Sequence, residues 1–128
     1  MSILLDSIRV TPYYSQVMVE AEDASDLPEP HIGPKAALAS TEAVMVSTRG
    51  DLDGDVLVEV HRGDPDSRLG AQVYDGELSF TRPLLVAGSP HSGELMTVDI
   101  GRIGWVPIKI YVDPPDRPSR VVVLLPGE

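Results

Sequence analysis

Cysteine is absent from this chain of 128 residues. Its absence excludes disulfides, iron–sulfur clusters, thiolate zinc sites and cysteine nucleophiles together. Long hydrophobic runs are also missing. The longest, such as Val121–Leu125, fall far short of the roughly 20 apolar residues that a membrane-spanning helix needs. The start, Met1-Ser2-Ile3-Leu4-Leu5-Asp6, lacks a basic segment and meets a carboxylate too early for a secretory signal, so the expected compartment is the cytoplasm. Positive charge is scarce as well. Ten Lys and Arg face 20 Asp and Glu, a net charge of −10. Such a chain repels phosphate, which argues against nucleic acid or an anionic membrane as a partner. It is instead steered toward a basic protein, or is simply kept in solution.

Helical periodicity is nearly missing too. What is present is alternation with period two, rich in β-branched residues and punctuated by turn residues every eight to twelve positions. The pattern predicts one all-β domain over residues 1–128, an antiparallel β-sandwich of about eight or nine strands, of Greek-key or jelly-roll type. Strands are expected at Ile3–Val10, Tyr14–Glu22, Ala43–Thr48, Asp55–His61, Leu69–Tyr74, Leu78–Val86, Glu94–Ile100, Trp105–Val112 and Arg120–Leu125. Val17, Val19 and Ala21 face one way, and Gln16, Met18 and Glu20 the other. The unbroken apolar run in the last strand predicts burial on both faces and a central position. Arg49–Gly54 and Asp75-Gly76 are read as hairpin turns. Pro83 places its strand at an edge or breaks it. Gly33-Pro34 opens the one helix candidate, through Lys35–Ala39.

Few residues suggest chemistry. Asp51, Asp53 and Asp55 alternate as calcium ligands do. An EF-hand would need glycine where Val56 stands and glutamate where Arg62 stands. A hairpin tip collects Asp and Gly for its own reasons; the other reading is a calcium-binding sandwich using these three aspartates. Arg49-Gly50-Asp51 matches an adhesion tripeptide by chance. No two of His31, His61 and His91 lie at a spacing that presents two zinc ligands from one element, and His61 is expected to project from the sheet surface. No nucleophile elbow, phosphate loop or dinucleotide fingerprint occurs. No cofactor and no enzymatic activity are expected.

The remaining candidates concern binding. Glu20, Glu22, Asp23, Asp26 and Glu29 fall close together with no base among them, and Asp51–Asp66 holds a second acidic group relieved by Arg62. Either is a solvated surface or a docking face for a basic partner, with fast, salt-sensitive association. Tyr13, Tyr14 and Trp105 near strand starts either cap the core or, if outward, anchor an interface.

Tyr13-Tyr14-Ser15-Gln16-Val17-Met18-Val19 resembles the early strand of the competence protein J family: aromatic, glutamine, then alternating apolar positions. The later order is similar as well, with an Ala-rich approach to a valine strand, a second valine strand, and a late Trp105-Val106-Pro107-Ile108-Lys109-Ile110 strand. The chain departs from that family in its higher Pro and Gly content and its Arg49–Asp55 tip. The resemblance implies an all-β fold and a non-enzymatic, inhibitor- or immunity-like role toward a partner such as a nuclease.

Overall fold

The computed structural model describes residues 1–28 and 35–127; Glu29, His31 and the Gly33-Pro34 pair lie outside them. Among the described residues, ten strands form two five-stranded sheets packed face to face. In chain order these are β1 (Ser2–Val10), β2 (Gln16–Ala21), β3 (Ala37–Ala39), β4 (Ala43–Ser47), β5 (Val56–Gly63), β6 (Ala71–Phe80), β7 (Leu84–Ser89), β8 (Glu94–Asp99), β9 (Gly104–Asp113) and β10 (Arg120–Leu125). The first sheet has the order β1-β5-β10-β9-β6 and the second β3-β4-β2-β7-β8. No helix among the described residues is long and apolar enough to cross a membrane.

The alternation read from sequence fills the space between the sheets. Val56, Val58 and Val60 of β5 point inward beside Val121, Val123 and Leu125 of β10 and Val106, Ile108, Ile110 and Val112 of β9, all buried. Val17, Val19 and Ala21 of β2, Val44 and Val46 of β4, and Met96 and Val98 of β8 meet them from the other sheet. Each such valine contributes about 1.5–3 kcal/mol relative to an exposed position. Phe80 is the one fully buried aromatic among the described residues. The outward residues of β10, Val122 and Leu124, form a smaller cluster with Tyr111 of β9 and Leu69, the last residue of a 3₁₀ turn at Ser67–Leu69. A leucine from a loop therefore covers the outward residues of β10 on the first sheet, and β10 is buried on both sides, as its apolar run predicts.

Long-range pairing departs from expectation at several points. β10 lies between β5 and β9, antiparallel to β9 but parallel to β5, so the sandwich is mostly antiparallel. Lys35–Ala39 is not helical: Ala37–Ala39 is the short edge strand β3, paired with β4. Arg49–Gly54 is not a hairpin turn, because β4 and β5 belong to different sheets. It is a crossover containing a 3₁₀ turn at Asp51–Asp53. Asp75-Gly76 does not turn either; both lie within β6, opposite Lys109 and Ile108 of β9. A Cβ at residue 76 would come within 2.5 Å of the Tyr74 hydroxyl oxygen, so the Tyr74 ring lies over the space that glycine leaves. The expected strand Leu78–Val86 breaks at Thr81–Pro83, where the chain leaves the first sheet for the second.

Candidate partner-binding face

The second sheet presents its outer face to solvent, and β2 runs through its middle. Met18 pairs with Met45 of β4, which in turn pairs with Leu38 of β3. Inward and outward positions alternate, so these three share the outer face and are half-buried, while Val17, Val19, Val44 and Val46 are sealed inside. Unbranched methionine suits such a surface, because it adapts to whatever contacts it.

At the start of β2 the backbone takes an unusual course. Tyr13–Ser15 forms a 3₁₀ turn in which Tyr14 has φ 61° and Ser15 φ 56°. Left-handed geometry costs a residue with a Cβ about 1–2 kcal/mol, and here two successive non-glycine residues adopt it. The turn is held by Tyr13 N–H on Thr11 O (2.9 Å), Ser15 N–H on Pro12 O (3.0 Å) and Thr48 N–H on Ser15 O (2.9 Å). Its effect is to set Tyr14 outward, 76% exposed, with its ring edge-to-face on His91 at 4.6 Å. The chain around Leu27-Pro28 comes back over the sheet. Together Tyr14, Gln16, Met18, Leu27, Pro28, Met45 and His91 line an apolar groove of about 420 Å³. An adjoining depression shares Tyr14 and His91 and adds Tyr13, Ser15 and Asp51.

The acidic candidates divide between the two ends of this face. Glu20 lies on it next to the end of β2, opposite Ala43 and Val86, and burial pushes its carboxyl above the ordinary range. Glu22, Asp23 and Asp26 lie beyond the far end of β2, about 17 Å from its start at the usual rise per strand residue. There they tie loops together. Glu22 pairs with Arg82 at 2.6 Å, and Asp23 accepts from the Thr81 hydroxyl. Asp26 accepts from the Thr41 hydroxyl and N–H, which hold its carboxyl below the usual range. Glu42 in turn accepts from the backbone N–H groups of Ser25 and Asp26.

The three aspartates weighed as calcium ligands flank the crossover. Asp53 is engaged by the Arg117 guanidinium, which lowers its carboxyl below the usual range, and Arg49 reaches the Asp55 carbonyl instead of a carboxylate. Among the described residues no group of three or more His, Asp or Glu is placed to hold a metal ion. The core alternative for the aromatics is overturned. Tyr13 is 41%, Tyr14 76% and Trp105 58% exposed, with Trp105 on the other sheet. Gln16, Met18, Met45, Leu27, Pro28 and His91 escaped the sequence reading. Two methionines at outward positions of neighbouring strands were the available signal.

No family model matches the chain, and no curated protein matches its sequence. A solved structure does resemble it: the crystal structure of ComJ, described as an inhibitor of the DNA-degrading activity of NucA, from Bacillus subtilis. The likeness covers 100% of this chain and 99% of that one, with a TM-score of 0.73. The chain shares its fold with ComJ. Sequence identity to ComJ is 11%, so the likeness is one of architecture, and it agrees with the resemblance carried by Tyr13–Val19.

Proposed function

We propose that this chain is a protein-binding inhibitor module that captures a basic enzyme, a nuclease foremost, through the outer face of the second sheet. The observation that carries the reading is Tyr14, presented to solvent by a strained turn at the mouth of an apolar groove. Strain of this kind is retained where a site uses it, and exposed tyrosines set in grooves are the usual anchors of protein interfaces. The net charge of −10 supports a cationic partner and fast association. The fold shared with an inhibitor of DNA degradation supports the nuclease.

Affinity capture from the native cell tests this. The wild-type chain should retain a basic protein whose DNA-degrading activity falls when the chain is added. Tyr14→Ala should weaken capture by about 30-fold or more, the equivalent of a hot-spot loss of about 2 kcal/mol. Combined Glu22→Lys, Asp23→Lys and Asp26→Lys should weaken it further as salt is lowered, because repulsion is then least screened. Equal capture of the same protein by wild type and both variants would sink the proposal.

A further inference from the structure

On the opposite side of the sandwich, the first sheet carries a polar network that the docking face leaves unused. His61 of β5 lies between Glu59, two residues earlier on the same face, and Ser2 of the neighbouring β1. Leu4 pairs with His61 and Ser2 with Gly63, which puts Ser2 one diagonal step from the imidazole. Ser2 Oγ is 3.0 Å from His61 Nδ1, and His61 Nε2 is 3.2 Å from Glu59 Oε1. The same carboxylate oxygen accepts from Arg120 Nε at 3.0 Å and Nη2 at 2.7 Å, which fixes its orientation. The His61 and Glu59 side chains are 12% and 14% exposed. Beside them a cavity of about 340 Å³ is walled by Met1, Leu4 and Leu69 and carries Arg68 at its rim.

For a neutral imidazole the hydrogen-bond order selects one tautomer. A carboxylate accepts only, so His61 donates from Nε2, and a neutral imidazole then has a bare lone pair at Nδ1. The Ser2 hydroxyl must therefore donate to Nδ1. A hydroxyl on a histidine that is oriented by a third group is the arrangement that activates serine nucleophiles. The geometry points to an acyl-transfer site here, with Ser2 as nucleophile, His61 as general base and Glu59 as positioning residue, acting on small carboxylic esters.

Ser2 Oγ bonds to the acyl carbon while its proton passes to His61 Nδ1. The imidazolium returns that proton to the leaving alkoxide as the ester C–O bond breaks, and acyl-Ser2 remains. Water then attacks the acyl carbon, giving a proton to the same nitrogen. The acid leaves, and Ser2 recovers its hydroxyl from His61. Of the two guanidiniums lining the cavity, Arg120 is committed to Glu59. Arg68 is paired with Asp66 at 3.6 Å and is 76% exposed; of the two it is the more loosely held, and its guanidinium can swing to the oxyanion. The apolar walls suit an acyl chain of a few carbons.

Two probes decide the matter on the full chain: 4-nitrophenyl acetate, followed by nitrophenolate release, and a fluorophosphonate, with its attachment located by peptide mass. Wild type should show a burst stoichiometric with protein and label at Ser2. Ser2→Ala removes one hydroxyl at the end of an edge strand and keeps the fold. It and His61→Gln should lower turnover by about 100-fold or more, the usual worth of acid–base assistance. Glu59→Gln should lower kcat by about tenfold or more with KM little changed, since the carboxylate orients the imidazole without touching the ester. Turnover equal in wild type and Ser2→Ala, or label elsewhere than Ser2, would overturn the site. A kcat equal to wild type in Glu59→Gln would remove Glu59 from it.

Discussion

On the first sheet the outward residues Tyr111, Val122 and Leu124 are sealed beneath Leu69, whereas on the second Met18, Met45 and Tyr14 line an open groove. Both faces carry apolar side chains at outward positions. Among the described residues they differ in how far the chain itself covers them. Where a loop supplies the cover, the apolar surface is committed to stability. Where the described residues leave it open, it is available to another molecule, as exposed apolar patches commonly are. Glu20, an acid within the open face, is half-buried, and burial pushes its carboxyl upward. The acids at its far end are already bonded to loop donors. The face is thus more apolar at its centre and less freely charged at its rim than the sequence alone suggests.

A matched pair of charge insertions puts the comparison to its hardest trial. Val122→Asp buries a carboxylate at a position that is 0% exposed, without a partner, and should destabilise the fold by more than about 4 kcal/mol. Met45→Asp on the other face should cost about 1 kcal/mol or less. Urea midpoints read both; similar losses would mean that the second face is as closed as the first.

Tyr14→Gly has a smaller effect with an unusual sign. Glycine adopts φ 61° without a Cβ penalty, so the variant should gain up to about 1 kcal/mol in thermal stability. It should lose partner binding at the same time, because stability and function are opposed where a strained residue makes the contact. A variant that is both less stable and fully competent to bind would show that the turn serves the fold alone.

The smallest effect separates loop ties from contact groups. Folding lowers the carboxyl of Asp26 from its ordinary 3.8, first through the Thr41 hydroxyl and then through the Thr41 N–H. A lowered folded value means that the stabilisation is present above the unfolded pKa and is lost as pH falls through the folded one. Thr41→Val should therefore lower the urea midpoint slightly near neutrality, with the gap to wild type closing below about pH 4. A gap independent of pH would assign the loss to packing.

Local rules made the strand interiors legible. Val56, Val58 and Val60, like Val106, Ile108, Ile110 and Val112, point inward as their alternation requires, because period two follows from the backbone itself. Turns were less legible, since the same residues serve other ends. Gly76 follows an aspartate as a hairpin glycine does, yet it lies within β6 opposite Ile108, beneath the Tyr74 ring. Arg49–Gly54 reads as a tip, yet it carries the chain between sheets, and no local pattern states which sheet the next strand joins. At the candidate sites, Tyr14 stood out by its residue type. Its contact with His91, like the bridge from Ser2 to His61, joins strands or loops far apart in sequence.

The position of β10 has a consequence for how the molecule is made. β5 touches β9 nowhere in the strand order except through β10, which lies between them. The first sheet therefore cannot close while a ribosome still holds residues 120–125. Until then β5 offers an unpaired edge along Leu57–Arg62, the residues β10 will later cover, and edges of that kind invite pairing with other chains. Strand pairs so distant along the chain also form slowly. The nascent protein thus passes through an interval, ended by the arrival of β10, in which its first sheet is two separate pieces.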